Sequence, residues 1–258
     1  MIQIKTTEEI QTMEKGGKIL SEILKQLAKA VKPGIATQDL EKLARELVFK
    51  FGVKPAFLNY NGYPAVLCTS VNDEIVHGVP SERRLEKGDL LKLDMGVLYK
   101  GFHTDSAVTV LVGGGLKYIG MPLDKKVLLK KKLIKVTKKA LEIGIKQARP
   151  GNTIGDIGSA IQKYVEKEGF NLVRDLVGHG IGKELHEEPQ VPNYGKSGEG
   201  SKLEVGMVVA IEPMVVTGDW KIKEGPDGFV FQTKDGGLAA HFEHTIAITE
   251  EGPLVLTG

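Results

Sequence analysis

Four acidic residues, Asp94, Asp105, Glu212 and Glu243, stand in segments that are otherwise apolar. The segment ending at Asp94 aligns with the segment ending at Glu212 at an offset of 118 positions, and the segments beginning at Asp105 and Glu243 share a pattern of residue types. A carboxylate within a buried strand is costly unless it is paired or binds a cation. The repetition therefore predicts that the four carboxylates meet at a pair of divalent metal ions.

The chain also carries a weak internal repeat. Residues 33–52 align with residues 150–169 at an offset of 117, with six of twenty positions identical. Two such halves folded face to face would bring the acidic residues together. Length alone permits one large domain or two small ones. Because each half lacks something that the other supplies, we expect a single catalytic domain over residues 1–258, with pseudo-repeat halves at roughly 33–112 and 150–250.

Histidines next to glycines add to the candidate ligands. His179 lies in Gly-His-Gly-Ile-Gly, where the glycines allow close backbone approach, and His77 is followed by Gly78. Carboxylates with one or two imidazoles form an oxygen-rich donor set that suits Mn, Fe(II), Co or Zn. Two such ions about 3.5 to 4 Å apart can activate a shared water and polarise a carbonyl group. The predicted chemistry is metal-assisted hydrolysis.

Three other motifs are incomplete. His186 begins a pattern typical of zinc-protease helices, but position 190, where the second histidine would stand, is Gln. The segment 195–197, Gly-Lys-Ser, resembles a phosphate-binding loop but also lacks the required glycine at position 190. No serine stands in a Gly-x-Ser-x-Gly nucleophile motif. These absences argue against a helical zinc protease, a nucleotide site and a serine hydrolase.

Composition is typical of a soluble globular protein, with 258 residues, 41% apolar and 26% charged. The net charge of +2 is too small to indicate a specific nucleic-acid partner. Residues 125–139 contain eight lysines among apolar residues. This pattern favours an amphipathic surface helix with a solvated lysine face over the alternative, a basic docking patch for RNA or an acidic partner.

Cys68 is the only cysteine, so no intrachain disulfide can form, and a reducing compartment fits. The N-terminal residues show no basic region followed by an apolar run. No stretch approaches the roughly 20 apolar residues of a spanning helix. We therefore expect a cytoplasmic protein with no membrane partner.

Hydrophobic periodicity predicts an α+β fold, in which helices flank a central antiparallel sheet. Four helices are predicted. The first starts at Thr6 or Thr7 and ends before Lys32, and the second starts near Thr37 and stops at Gly52. The third runs from about Leu123 to Ala148, and the fourth covers Ile157 to Val165 and ends before Gly169. The predicted strands cover residues 65–71, 90–97, 102–112, 207–216, 228–233 and 238–249. A hairpin turn at 99–101 would put Asp94 and Asp105 on one face, although an isolated pair could instead lie on an exposed edge.

Five residues in order, with their flanking residues, resemble the metal ligands of the methionine aminopeptidases. They are Asp94, Asp105, His179 in Gly-His-Gly-Ile-Gly, Glu212 in Ile-Glu-Pro-Met and Glu243 in Glu-His-Thr. The resemblance runs from the first helix to Ile248 and implies the pita-bread fold of two pseudo-symmetric halves. Only thirty residues separate the last two glutamates, which is typical of type I enzymes in their short form without an N-terminal extension.

The resemblance also implies roles for the ligands. Asp105 and Glu243 would bridge both ions, His179 and Glu212 would complete one ion, and Asp94 would chelate the other. The ions would be Co, Mn, Fe(II) or Zn.

Three residues would take catalytic roles by the same resemblance. His77 and His186 would contact the substrate and steady the tetrahedral intermediate. Glu212 would relay a proton between the attacking water and the leaving amine.

The implied substrate is the N-terminus of a peptide or nascent protein whose second residue is small. The substrate-binding residues would be Phe57, Tyr60, Tyr63, Cys68, His77, Leu185, His186 and Phe229, of which the apolar ones form the side-chain pocket. Phe57, Leu185 and Phe229 stand where the family commonly has Cys, Phe and Trp, and these replacements keep the pocket apolar. Family members are mostly monomeric, and ribosome contact is a further expectation.

Two alternatives remain open at this stage. Another hydrolase of the same fold, such as an Xaa-Pro dipeptidase, would carry a separate N-terminal domain, for which the residues before Pro33 leave no room. A catalytically silent relative that binds ribosome or RNA through the lysine-rich helix would tend to lose ligands, whereas all five are present.

Overall fold

The computed structural model describes residues 2–114 and 125–258, and within them a pair of α-helices precedes each of two strand-rich regions. The α-helices are α1 (Thr7–Ala30), α2 (Thr37–Phe51), α3 (Lys125–Gln147) and α4 (Ile154–Lys167). The strands are β1 (Lys54–Pro55), β2 (Cys68–Val71), β3 (Glu74–Val76), β4 (Leu90–Tyr99), β5 (Phe102–Leu111), β6 (Asn171–Leu172), β7 (Gly178–Gly180), β8 (Glu187–Val191), β9 (Val208–Ile211), β10 (Met214–Val216), β11 (Ile222–Glu224), β12 (Phe231–Thr233), β13 (Ala239–His241), β14 (Glu243–Thr249) and β15 (Gly252–Val255).

Helix boundaries follow local capping chemistry. The Thr6 side chain accepts a hydrogen bond from the backbone N–H of Glu9, and the Glu9 carboxylate accepts one from the Thr6 N–H at 2.9 Å, which forms a capping box at the start of α1. Gly52 and Gly169 adopt positive φ angles of 66° and 84° just past α2 and α4. These boundaries confirm the predicted helices. The predicted first residues of α3, Leu123 and Asp124, lie outside the described residues.

The largest sheet is antiparallel and has nine strands, in the order β1-β4-β5-β14-β9-β7-β8, with β2 also paired to β4 and β15 to β14. The β4–β5 hairpin closes through Lys100 and Gly101, both at positive φ (49° and 88°). Two such residues are typical of the turn that matches the natural twist of a hairpin. Two further sheets have three strands each, in the orders β13-β10-β6 and β11-β12-β3. All of their strands except β3 come from the second half of the chain.

Each helical pair covers its own part of the sheet. Helices α1 and α2 bury Leu20, Leu24 and Leu40 against β2 and β4, whereas α3 and α4 bury Leu133 and Ile161 in a second cluster with β9 and β14. The antiparallel sheet with flanking helices is the predicted α+β class.

Helix α3 is amphipathic, as its sequence predicts. Leu133, Val136 and Ala140 are buried, while the lysines alternate with the exposed Leu128 and Leu129 on the outer face. Within the ranges that the structure describes, no helix is both long and apolar enough to cross a membrane.

Two predicted strands are broken in the structure. The segment 207–216 divides into β9 and β10 around Glu212 and Pro213, because proline has no N–H to donate to a ladder. The segment 238–249 divides into β13 and β14 at Phe242. The predicted strands 65–71 and 228–233 are shorter in the structure, where β2 begins at Cys68 and β12 begins at Phe231.

Candidate metal centre

The register of the main sheet brings three carboxylates to one face. Asp94 lies opposite Ala107 in the β4–β5 hairpin, and Asp105 lies opposite Gly96. Glu243 lies opposite Ala107 from the other side, on β14. Cross-strand partners share a face, and so do residues two apart along a strand. Asp94, Asp105 and Glu243 therefore point to the same side of the sheet.

The second half supplies the other two predicted ligands to this face. His179 on β7 pairs with Ala210 on β9, and Ala210 pairs with Thr245, two residues past Glu243. Glu212 follows the last residue of β9 and lies opposite Glu243 when the β9–β14 register is continued by one residue. All five predicted ligands thus converge from five different strands or strand ends.

Hydrogen bonds between side chains and backbone groups join β5 and β14 at the centre of this cluster. Thr245 Oγ1 accepts from the Asp105 N–H at 2.9 Å and donates to the Asp105 carbonyl at 2.8 Å. Ser106 donates its hydroxyl to the Glu243 carbonyl at 2.8 Å, and its N–H donates to Asp105 Oδ1 at 2.9 Å. The backbones that carry Asp105 and Glu243 are therefore fixed relative to each other.

The donor set fits a divalent cation. One ligand atom from each of Asp105, His179 and Glu243 lies within 4.8 Å of the other two. Asp94 Oδ1 is buried without a hydrogen-bond partner among the described residues. His179 Nδ1 lies 2.8 Å from the Gly180 carbonyl. A carbonyl only accepts, so Nδ1 carries the ring proton and Nε2 keeps a lone pair for a metal.

The electrostatics of the cluster point the same way. Burial raises the pKa of Asp105 to about 7. Burial, and then the neighbouring carboxylates, raise the pKa values of Asp94, Glu212 and Glu243 well above their usual range. Burial lowers the pKa of His179 to about 3, with a smaller effect of His186, which keeps its imidazole in the neutral form that binds metals. A divalent cation would offset the repulsion between the carboxylates and restore their ionised forms.

A cavity of about 180 Å³ opens onto the carboxylates. It is lined by Phe57, Tyr60, Asn61, Tyr63, Cys68, His77, Asp94, Asp105, Leu185, His186, Glu212, Phe229 and Glu243. Every residue that the sequence analysis assigns to the site therefore lines this cavity except His179, whose ring centroid lies 4.3 Å from that of His186.

Aromatic rings close the apolar end of the cavity. Tyr63 and Phe229 meet edge to face with centroids 5.5 Å apart, and the Tyr63 hydroxyl donates to backbone carbonyls. Phe57 approaches Gly96 so closely that a Cβ there would lie 2.9 Å from its ring. Cys68 is buried beside these rings, and burial raises the pKa of its thiol, so it contributes an apolar wall.

Two histidines stand at the open end. His77 is exposed and has a φ of 61°, a strained conformation that is held by hydrogen bonds on either side of Gly78. His186 Nδ1 lies 2.7 Å from the Tyr60 hydroxyl. Both imidazoles can therefore meet a substrate that enters towards the carboxylates.

The structure adds two residues that the sequence analysis did not assign. Asn61 lines the cavity from a short turn and has a φ of 47°. His241 Nε2 lies 3.4 Å from Glu212 Oε2. The spacing of His241 two positions before Glu243 could have indicated a shared face, but nothing local indicates its approach to Glu212.

Comparison with known proteins agrees with this site. Residues 11–250 match the family model of metallopeptidase family M24. The methionine aminopeptidase of Clostridium acetobutylicum is 46% identical over 258 residues, which cover 100% of this chain and 99% of that protein.

Solved structures show the same fold. The methionine aminopeptidase of Thermotoga maritima superimposes with a TM-score of 0.92 at 45% identity, covering 100% of this chain and 99% of the other. A prolidase from Pyrococcus furiosus is a more distant match, with a TM-score of 0.75 at 25% identity over 99% of this chain but only 65% of that one. The protein has the pita-bread fold of these enzymes, and the chain belongs to metallopeptidase family M24 and, within it, to the methionine aminopeptidases.

Proposed function

We propose that this protein is a metal-dependent aminopeptidase that removes the N-terminal methionine from peptides and nascent proteins whose second residue is small. The observation that carries the proposal is a single cavity with carboxylates and imidazoles at one side and a closed apolar wall at the other. Such a cavity binds one apolar side chain and presents the bond that follows it to the polar groups.

Five residues would hold two divalent metal ions. They are Asp94, Asp105, His179, Glu212 and Glu243. The clustering of Asp105, His179 and Glu243 within 4.8 Å and the unpartnered oxygen of Asp94 support this assignment. When bound, the ions would lower the pKa of a water molecule and polarise the scissile carbonyl group.

Selection of the first residue would depend on shape. Phe57, Tyr63 and Phe229 form walls against which a thioether packs well. The walls also exclude water, so a charged side chain at this position would be desolvated without a partner and rejected.

Glu212 is the proposed carrier of the proton. Its carboxylate borders the cavity, where it can take a proton from the attacking water and return it to the amine of the leaving residue. Its main chain is held by Asn193, whose side-chain amide donates to the Glu212 carbonyl at 3.0 Å.

His77 and His186 are proposed to act on the substrate. When Tyr60 donates its hydroxyl proton to Nδ1 of His186, the ring proton must lie on Nε2. That N–H can donate to the carbonyl oxygen as negative charge develops on it. His77 would hold the substrate from the opposite rim.

The test is kcat/KM for peptides with Met, norleucine, Ala, Lys or Pro at the first position, each followed by Ala or Leu, with and without chelator. Methionyl peptides followed by Ala should be cleaved best and norleucyl ones appreciably, because similar apolar side chains differ by only about 1 to 3 kcal/mol in such pockets. Chelation should abolish turnover. Preferred cleavage of prolyl peptides would instead favour an Xaa-Pro dipeptidase.

We further propose that the protein works in the cytoplasm as a monomer and contacts the ribosome, with no specific nucleic-acid partner and no membrane. Its single cysteine and the chemistry of nascent chains support the location. The exposed lysines of α3 support a contact with an acidic surface. Co-sedimentation with ribosomes at low and high salt and analytical ultracentrifugation test these features.

A further inference from the structure

The carboxylate of Glu212 lies between two histidines. His179 Nε2 is 3.8 Å from Oε1, and His241 Nε2 is 3.4 Å from Oε2. The His241 side chain is only 1% exposed, so bulk water cannot take the place of the Glu212 carboxylate as the partner of its ring.

The two imidazoles face Glu212 with different chemistry. The proton of His179 is held on Nδ1 by the Gly180 carbonyl, so its Nε2 offers a lone pair and cannot donate. For His241, neither ring nitrogen has a hydrogen-bond partner in the part of the chain that the structure describes. Buried polar atoms are rarely left without a partner, and the neighbouring carboxylate can only accept when it is ionised.

The surroundings of the two ring nitrogens of His241 differ. Its Nε2 lies 3.4 Å from Glu212 Oε2, whereas its Nδ1 has no hydrogen-bond partner among the described residues. A proton on Nε2 would meet the Glu212 oxygen, whereas a proton on Nδ1 would face no acceptor and would set two lone pairs against each other.

The backbone of His241 is fixed from the first half of the chain. Thr109 on β5 donates its hydroxyl to the His241 carbonyl at 2.6 Å and accepts from the His241 N–H at 2.9 Å. His241 also pairs with Met214, which lies just after Glu212. The ring is thus presented to Glu212 by strands on both sides.

We propose that His241 is a positioning residue that donates its Nε2–H to Glu212 Oε2 and so leaves Oε1 turned towards His179 and the bound cation. This inference rests on the proposed metal-binding role of Glu212. Groups that orient a metal ligand in this way commonly contribute ten- to a hundredfold to metal affinity.

The first test uses the unmodified protein. Ring nitrogen chemical shifts are measured by NMR on protein with 15N-labelled histidine, without metal and with Zn²⁺, and His241 is assigned from the signal missing in His241→Gln. With Zn²⁺ bound, Glu212 is ionised and can only accept, so we expect a proton on Nε2 of His241. A proton on Nδ1 alone in that state, or a shift that shows direct binding of Zn²⁺ by His241, overturns the proposal.

The second test measures Co²⁺ affinity by calorimetry without substrate. His241→Met, which cannot donate, should bind about ten- to a hundredfold more weakly. His241→Gln, whose amide can donate, should stay close to the unmodified protein. The matched control is His244→Met, because His244 lies three residues away and its Nδ1 faces Thr257 Oγ1 at 2.9 Å instead of the carboxylates.

Unchanged Co²⁺ affinity in His241→Met, or an equal loss of affinity in both His241 variants, would overturn the positioning role. If His241→Met does not fold, the NMR measurement on the unmodified protein decides the question. Neither measurement involves turnover, so a failure of the proposed peptide specificity would leave them intact. Glu212→Gln tests the underlying assumption separately, because unchanged Co²⁺ affinity there would mean that Glu212 is not a ligand.

Discussion

At the scale of single residues, the site is governed by repulsion between buried carboxylates. Burial and mutual repulsion raise the pKa values of Asp94, Glu212 and Glu243. A carboxylate in such surroundings is stabilised by a cation or by a proton. Replacing one carboxylate by its amide keeps the shape of the side chain but removes the charge that the cation requires.

The carboxylates should not contribute equally. Asp105→Asn and Glu243→Gln are expected to reduce kcat about a hundredfold or more, as loss of a dominant electrostatic contact does. Asp94→Asn should cost less, because Asp105 and Glu243 belong to the three-residue cluster and are proposed to touch both ions, whereas Asp94 is proposed to touch one. The measurements are kcat and the number of metal ions bound per chain. An Asp94→Asn variant that is the most damaged of the three would refute the proposed bridging roles.

The histidines should separate by role. His179→Ala should weaken metal binding, because its Nε2 lone pair faces the cluster. His77→Ala and His186→Ala should keep the metal and mainly lower kcat, because their N–H groups would act as charge develops in the transition state. Titration of metal into each variant, together with steady-state kinetics, distinguishes the two classes.

Tyr60→Phe is the control for His186. It removes the hydroxyl that lies 2.7 Å from Nδ1 and should lower kcat without loss of metal. Equal metal loss in all three histidine variants would mean that His77 and His186 are ligands.

At the scale of the elements, strand ends and turns present the site. A two-residue turn fixes the register of the β4–β5 hairpin, and Pro213 ends the ladder of β9 directly after Glu212. The starts of α2 and α4 are capped in matching ways. Asp39 and Asp156 each accept a hydrogen bond from the backbone N–H three residues earlier, at 3.2 and 2.8 Å. The repeat in the sequence is therefore visible in the chemistry of both helix starts.

The cap of α4 should make stability depend on acid pH. Hydrogen bonds from the Ser197 hydroxyl, and then from the N–H and hydroxyl of Thr153, lower the pKa of Asp156 to about 2. A pKa below the unfolded value of about 3.9 means that the ionised group stabilises the fold above that pH and that its contribution is lost as the pH falls towards 2. Asp156→Ala should therefore cost about 1 kcal/mol at neutral pH, and the difference should shrink with acid.

Urea unfolding of the two proteins between pH 7 and pH 3 measures this effect. Glu166→Ala, in the last turn of the same helix, should stay within about 0.5 kcal/mol at every pH. A gap between unmodified protein and Asp156→Ala that widens as the pH falls would contradict the expected sign.

At the scale of the whole molecule, the site is built from both halves of the chain. Asp94 and Asp105 come from the β4–β5 hairpin, and His179, Glu212 and Glu243 come from the region after α4. We propose that residues 1–258 form one catalytic domain, with pseudo-repeat halves at roughly 33–112 and 150–250.

A single domain predicts coincident unfolding of both halves. Trp220 is the only tryptophan, so its fluorescence reports on the second half, whereas far-ultraviolet circular dichroism reports on all helices and strands. Both signals should give the same urea midpoint. Metal at about 100 times its Kd should raise stability by about 2.7 kcal/mol in both signals. Separate transitions, or stabilisation of one signal alone, would indicate two domains.

Local chemistry explains how much of this protein the sequence determines by itself. The periodicity of α1 to α4, the capping residue Thr6 and the glycines at 52 and 169 act within a few residues of themselves, so helix bounds could be predicted closely. Acidic residues in apolar strands can also be recognised from the sequence as candidate metal ligands, because burial of an unpaired carboxylate is costly wherever it occurs. The resemblance of the five ligand motifs to a known family then gave the pocket residues.

Tertiary structure alone decides the rest. Very short strands such as β3 and β7 show no alternation that a sequence could display, and their pairing comes from neighbours far along the chain. His241 enters the site for the same reason. The approach of His241 to Glu212, and its anchoring by Thr109 from 132 residues away, depend on the register between distant strands. That register is set by the packing of the whole core, which no local pattern encodes.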